Sequence, residues 1–354
     1  MSGGPDKTPP AHHVPGGGYR NLAVEFRPRS LGEVLRWRWQ ATLDGKPFPP
    51  QAPTPQVAPD LAHLLANRGA AQQPGVTWLG HATALVQLGG ISLLTDPVFS
   101  ERCSPLPFAG PKRHQPPGIA LADLPHIELV LVSHNHYDHL DAASVQALAR
   151  QPGGPPQFIV PLGLKAWFAK LGIVNCIELD WWQAHTLPAA KGDVTVELVP
   201  AQHWSARGLG DRMATLWGGF AVFAPDCHLF YAGDTAYSRE FAHMRERYAP
   251  RQSPEHGGGF DLALLPIGAY EPRWFMGTQH INVEEALRIH RDLGAKRSLG
   301  LHWGTFALAD EAVDEPPREL ARQRPASGLS EAEFFVTAIG ETRRLPAREH
   351  PHGG

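Results

Sequence analysis

Cysteine is scarce in this chain: three copies in 354 residues, Cys103, Cys176 and Cys227, with no CxxC pair among them. That excludes a disulfide framework and a thiolate-held zinc as organising features, and makes a reducing compartment, the cytoplasm, the expected setting. Charge of one sign is also lacking. A formal net charge of -3 offers no basic field to a polyanion, so no nucleic acid is expected as a partner. Long apolar runs are missing: no window approaches the ~18 residues that mark a membrane-spanning helix, and "MSGGPDKTPPAHHVPGGGYR" carries no signal-peptide core. The chain is expected neither to span a membrane nor to be exported by a signal of that kind.

What is present in excess is histidine, at 19 copies. The hydrophobic fraction of 42% against 19% charged fits a soluble globular protein whose length allows one large domain or two ordinary ones. Residues 1–18, rich in Gly, Pro and His, read as a disordered leader. In the extension over 19–75, "LGEVLRWRWQ" predicts a short helix with Leu31, Val34, Leu35 and Trp39 on one side. It either packs on the main domain or uses its Trp and Arg residues at a membrane surface. The Pro-rich "KPFPPQAPTPQVAPD" then connects it to a regular region over 76–345, with a tail at 346–354.

"VTWLG", "TALVQLG" and "ISLLTD" predict an antiparallel meander, and "IELVLVS" a buried strand. "DAASVQALAR" predicts a helix capped by Asp141. Further strands are expected at "QFIVP", "VTVELVPA", "GFAVFA", "HLFYAGD", "LALLPIG" and "SLGLHW", and helices at "LGLKAWFAKLG" and "VEEALRIHRDLG". Strands dominate first and alternate with helices later, which predicts stacked sheets covered by helices, a layered α/β domain.

"SHNHYDHLD" follows directly on the buried strand. His134 and His136 alternate along extended chain, so both rings can point the same way, with Asp138 and His139 following as the chain turns. Burying four such groups without a cation is costly, so the motif predicts metal binding. His203 in "VPAQHW", Asp234 in "FYAGDTAY" and His302 in "LGLHWGTF" also stand at the ends of apolar strands. Singly each has an ordinary structural reading; together they supply what a second metal requires. Imidazole and carboxylate ligands without thiolate fit a catalytic zinc site.

With its HxHxDH motif at His134, His136, Asp138 and His139, the sequence resembles the metallo-beta-lactamase superfamily. Within it, "DPVFSERCSPLPFAGPKR", "IELDWW", "IGAYEPRWFM" and "HWGTFALA" resemble the N-acyl-phosphatidylethanolamine-hydrolysing phospholipase D group, over about residues 76 to 312. The resemblance implies a four-layer αββα sandwich and two zinc ions per chain. One ion would sit on His134, His136 and His203, the other on Asp138, His139 and His302, with Asp234 bridging. It further implies that Asp96 supports a ligand histidine and that His280 orients phosphate or donates a proton. It likewise implies a catalytic role for Asp138 beside His280, and substrate contacts at Gln279 and His81.

The implied reaction is hydrolysis of N-acyl-phosphatidylethanolamine to N-acylethanolamine and phosphatidic acid, by hydroxide held on zinc. The partners are then a phospholipid and, peripherally, the inner membrane surface; a homodimer is left open. Gly277 departs from the group, whose members commonly carry lysine there. His136 stands where oxygen-reducing di-iron members carry glutamate, which favours hydrolysis. A hydrolase for another phosphodiester or a lactone is the alternative, and a noncatalytic metal-binding sensor a further one.

Overall fold

The computed structural model describes residues 9–23, 26, 29–208 and 210–348. Residues 75–187 supply β1 (Gly75–Gly80), β2 (Thr83–Leu88), β3 (Ile91–Thr95), β4 (Leu129–Leu131), β5 (Gln157–Pro161), β6 (Cys176–Leu179) and β7 (Ala184–Leu187). The second half supplies β8 (Val194–Val199), β9 (Gly219–Ala224), β10 (Cys227–Tyr231), β11 (Leu262–Pro266), β12 (Ser298–Leu301), β13 (Phe334–Phe335) and β14 (Thr342–Arg344). They form two seven-stranded sheets, ordered β14-β1-β2-β3-β4-β5-β6 and β13-β12-β11-β10-β9-β8-β7. In each, an antiparallel meander leads into parallel strands: β3 to β6 in one, β10 to β13 in the other.

Side chains alternate across each sheet. Ala84, Val86, Leu93, Leu129 and Leu131 join the core between the sheets, while Leu85, Leu94 and Val130 point outward. The outward set packs on α2 (Leu61–Ala66), α3 (Ala142–Leu148) and α4 (Lys165–Lys170) through Leu64, Val145, Leu148 and Phe168. The second sheet is covered by α5 (Glu240–Tyr248) and α7 (Val283–Leu293), with α8 (Glu315–Gln323) beyond. Burial on both faces explains why these strands read as continuous apolar runs rather than as clean alternation. The four layers are therefore helix, sheet, sheet, helix, as expected. Asp141 accepts from Ala143 N at 3.2 Å, and α7 opens with a capping box between Asn282 and Glu285.

Several elements differ from expectation. β6, β7, β13 and β14 were not anticipated, being short, polar or only partly buried. The leader was expected to be disordered through residue 18. Residues 1–8 lie outside the described residues, but from Pro9 the chain forms a turn in which His12 is buried and Tyr19 N donates to Met213 O at 2.9 Å. At the other end, Arg348, expected in the tail, donates from Nε to Asp261 Oδ2 at 2.9 Å. Residues 349–354 lie outside the described residues.

The helix α1 (Leu31–Leu43) is present, but its seam is not the expected one. Val34, Trp37 and Ala41 face Phe275, Met276 and Ala309, and Trp37 Nε1 donates to Asp310 Oδ1 at 2.9 Å. Leu35 and Trp39, expected on the packed side, are 60% and 68% exposed. The spacing of 34, 37 and 41 wins because those positions share one helical face against α6 (Arg273–Met276). Trp37→Ala should lower stability by about 3–5 kcal/mol. Trp39→Ala should stay within about 0.5 kcal/mol, as for an ordinary surface position. Urea unfolding of the two variants checks this, and equal shifts would refute the inward seam.

Candidate metal centre

The ligand-type residues converge because the strands that precede them end at one rim of the sandwich. Asp96 follows β3, and the 134–139 loop follows β4, in the first sheet; His203, Asp234 and His302 follow β8, β10 and β12 in the second. Chain crossing is tight here. A Cβ on Gly233 would lie 2.7 Å from that of Ser133, and one on Gly268 would lie 2.2 Å from the His302 carbonyl oxygen. His81, Asp96 and His302 hold left-handed backbone angles, with φ of 52°, 32° and 67°. Strain of this kind persists only where the surroundings over-determine it.

Two nests result. His134 Nε2 lies 2.9 Å from His136 Nδ1, and His203 Nε2 lies 3.2 Å from the same atom. In the second nest His139 Nε2 and His302 Nε2 are 3.2 Å apart, each 3.4 Å from Asp138 Oδ2. Asp234 stands between them. Its Oδ2 is 3.0 Å from His139 Nε2, 3.8 Å from His203 Nε2 and 3.9 Å from His134 Nε2, while Oδ1 is 3.2 Å from His302 Nε2.

Hydrogen-bond partners assign the tautomers. His139 Nδ1 meets Asp96 Oδ2 at 2.5 Å and His203 Nδ1 meets the Gln279 carbonyl at 2.9 Å, so both nitrogens carry the proton. Ser133 Oγ donates to Asp96 Oδ2 at 2.5 Å, which leaves it to accept from His134 Nδ1 at 2.9 Å. The Nε2 lone pairs of His134, His139 and His203 therefore all point inward, at one another and at carboxylate oxygens. Asp234 Oδ1 and His136 Nε2 are buried without a hydrogen-bond partner.

A cation resolves these conflicts. Tetrahedral zinc with nitrogen ligands at about 2.0–2.1 Å places them about 3.3 Å apart, close to the spacing in the first nest. Electrostatics agree. Burial holds His134 well below its usual value, His136 at about 3 and His203 at about 4, so these rings are neutral, as ligands must be. Burial opposes charge on His302 too, yet Asp234 and Asp138 lift it to about 9, and with Asp96 they raise His139. Burial would raise Asp138 and Asp234, but His139 foremost drives both well below the usual carboxylate range. The second nest thus demands positive charge, which protons supply when metal does not.

The other expected site residues lie around the nests. Asp96, wholly buried, accepts from Ser133 N at 2.7 Å and Tyr231 OH at 2.5 Å besides His139, so its carboxylate fixes that ring. His280 Nδ1 lies 3.8 Å from Asp234 Oδ2, and Arg273 Nη1 holds the His280 carbonyl at 2.9 Å. His81 and Gln279, expected as substrate contacts, border the nests. His81 Nε2 bonds Asp138 Oδ2 at 3.0 Å; Gln279 is buried and offers its backbone carbonyl to His203, its amide turning to Met276. Gly277 ends α6, where a Cβ would come 2.8 Å from the Arg273 carbonyl.

Arg207 was missed in the sequence. Its Nη1 donates to Asn135 O at 2.9 Å and Leu140 O at 2.7 Å, and the guanidinium lies 4.0 Å over Tyr137, clamping the ligand loop. No residue pattern marks such a clamp, because it acts on carbonyls. His12, His13 and Asp180 also bring ligand-type atoms together. There each imidazole Nε2 meets its own carboxylate oxygen, at 2.6 and 2.8 Å, which makes a hydrogen-bonded clip.

Fold and ligand set together define a metallo-beta-lactamase-type hydrolase. A family model described as the beta-lactamase superfamily domain matches residues 92–303. The chain is 40% identical over 275 residues to N-acyl-phosphatidylethanolamine-hydrolyzing phospholipase D 1 of Caenorhabditis elegans, covering 75% of this chain and 74% of that one. It is 37% identical over 268 residues to the mitochondrial enzyme of that name from Saccharomyces cerevisiae, covering 75% and 55%. A metallo hydrolase from Ignicoccus hospitalis shares the fold, with a TM-score of 0.56 at 23% identity over 77% of this chain and 98% of that one. The chain belongs to the beta-lactamase superfamily and, within it, to the family of these phospholipases D.

Asp234→Asn should sharply reduce the content of bound metal, and Asp96→Asn should weaken binding about 10- to 100-fold. Metal analysis after dialysis against graded chelator measures both. Wild-type metal retention by Asp234→Asn would remove the bridging role.

Proposed function

We propose that the protein is a phosphodiesterase of phospholipase D type that hydrolyses N-acyl-phosphatidylethanolamine, with two zinc ions per chain in the nests described. One observation carries the reading: two clusters of ligand-type side chains with Asp234 between them, in a chain related over three quarters of its length to enzymes named for that reaction. His134, His136 and His203 would hold one ion, Asp138, His139 and His302 the other, with Asp234 shared. Bound there, divalent cations lower the pKa of a ligated water to about 7 and stabilise charge on phosphoryl oxygens.

The chain's residues do the rest. Asp138 and Asp234 offset two of the four positive charges, which leaves the site attractive to a phosphodiester anion. Asp96 keeps the His139 lone pair inward. His280, held neutral by burial at about 3, presents an unpaired Nδ1 towards the nests and orients a phosphoryl or leaving oxygen. Water's oxygen ends on phosphorus, the bond from phosphorus to the ethanolamine oxygen breaks, and that oxygen takes a proton. The products are N-acylethanolamine and phosphatidic acid.

No helix among the described residues is long and apolar enough to cross a membrane. The lipid would be met at a surface. Leu35, Trp39 and Leu43 are exposed at every fourth position of α1, beside exposed Arg36 and Arg38, and Trp274 is exposed nearby. Trp37 anchors this helix on Phe275, with ring centroids 4.6 Å apart, and α6 runs directly on to Gln279 and His280. A surface-bound α1 would thus stand next to the segment that enters the site, in a peripheral enzyme of the cytoplasmic membrane face.

Metal-loaded protein should hydrolyse N-acyl-phosphatidylethanolamine in preference to bis-p-nitrophenyl phosphate or a lactone. Turnover of the model diester alone would sink the lipid assignment, and turnover of the lactone alone the reaction class. On anionic vesicles, Trp39→Ala should reduce the bound fraction roughly tenfold, as for loss of one buried aromatic side chain. Unchanged sedimentation would remove the surface role of α1.

A further inference from the structure

The N-terminal turn reaches the metal centre at one residue. Asn21 holds the main chain of His203 from both sides: its Nδ2 donates to His203 O at 2.9 Å, and His203 N donates to its Oδ1 at 3.2 Å. This paired amide contact fixes the peptide units on either side of the His203 Cα, the point from which the ring projects. On the ring itself, Nδ1 is tied to Gln279 O. Next in the chain, Trp204 packs edge-on against His136, with centroids 4.4 Å apart at 67°, and Phe26 stacks on Trp204 at 5.8 Å and 15°.

The segment bearing Asn21 has little regular structure of its own. It is fastened at its other end. His12 Nε2 and His13 Nε2 bind the two oxygens of Asp180, His12 lies stacked on Trp181 at 4.3 Å, and Tyr19 N donates to Met213 O. Asp180 is buried, and its ion-pair partners among the described residues are these two imidazoles. It follows β6 in the first sheet, whereas His203 follows β8 in the second. The turn therefore spans the two sheets and ends on a candidate ligand.

We propose that residues 9–21 form a strap that positions His203 for metal, with Asn21 as the positioning residue and the His12–His13–Asp180 clip as its fastening. The inference rests on the reading of His203 as a ligand. Outer contacts that orient a metal-binding histidine change affinity by about 10- to 100-fold, and Asn21 acts one step further out, on the backbone. Asn21→Ala should therefore weaken one of the two ions about tenfold and leave the other unchanged. The double variant His12→Ala/His13→Ala should affect the same ion, and combining it with Asn21→Ala should add little, because both changes release one strap.

The experiment is a chelator competition on the full chain loaded with Zn2+, resolving both ions, with the absorption of the Co2+-substituted protein recorded beside it. A merely structural role would lower the unfolding midpoint while both affinities and the Co2+ bands stayed as in the wild type, and that result would overturn the proposal. His203→Ala separates the two levels. If it weakens one ion while Asn21→Ala and His12→Ala/His13→Ala match the wild type, the strap fails and the ligand reading stands. If His203→Ala itself retains both ions at wild-type affinity, the ligand reading fails first. Asp180→Asn, which keeps the side-chain shape, serves if the histidine double variant folds poorly, and should weaken the same ion.

Discussion

Uncompensated negative charge is the constraint on which this structure turns. Asp138 and Asp234 sit at the rim between two sheets, and their ion-pair partners among the described residues are imidazoles. A buried carboxylate beside one that is largely enclosed needs either protons on neighbouring rings or a metal, because isolated buried charge is far too costly. Asp96 is different. Its oxygens accept from Ser133, His139 and Tyr231, so it is satisfied by hydrogen bonds and acts on the site only through His139.

The rest of the fold places these charges with little freedom to relax. Both sheets bury both faces, so strand positions are fixed by packing, and the loops that follow are held by contacts to the opposite sheet. Gly218 N donates to Ser133 O, joining the start of the ligand loop to the opposite sheet, and Ala236 N donates to Gln202 O, tying the His203 and Asp234 segments together. Left-handed angles at His81, Asp96 and His302 are the local cost of that convergence. The N-terminal turn and α1 then close around this rim. One presses on His203 through Asn21, and the other carries an exposed aliphatic and aromatic face beside α6.

Much of this was legible beforehand, for stated reasons. Strands such as Thr83–Leu88 and Gly219–Ala224 are apolar runs of strand length between turn residues, and the helix Val283–Leu293 has its cap written in Asn282 and Glu285. Short edge strands such as Thr342–Arg344 carry no such pattern and exist only through their neighbours. The face of α1 was misread because Leu35 and Trp39 are as apolar as Trp37; what decides is the presence of Phe275 and Asp310 opposite one side. Likewise, nothing in the sequence pattern shows that His81 Nε2 bonds Asp138 or that the backbone carbonyl of Gln279 accepts from His203.

The sequence by itself determined the chemistry: which residue types could hold metal, that thiolates had no part, and that each stood at the end of an apolar strand. Those are local properties, set by composition and by the alternation of a single element. The grouping of His134, His136 and His203 apart from Asp138, His139 and His302 was implied only by family resemblance; the tertiary structure decided the distances within each nest and that Asp234 lies between them. Residues far apart in the chain, His139 and His302 by 163 positions and His12 and Asp180 by 168, meet because sheet stacking brings strand ends together. Backbone contacts like those of Arg207 and Asn21 leave no mark in residue type, since any carbonyl or amide would serve.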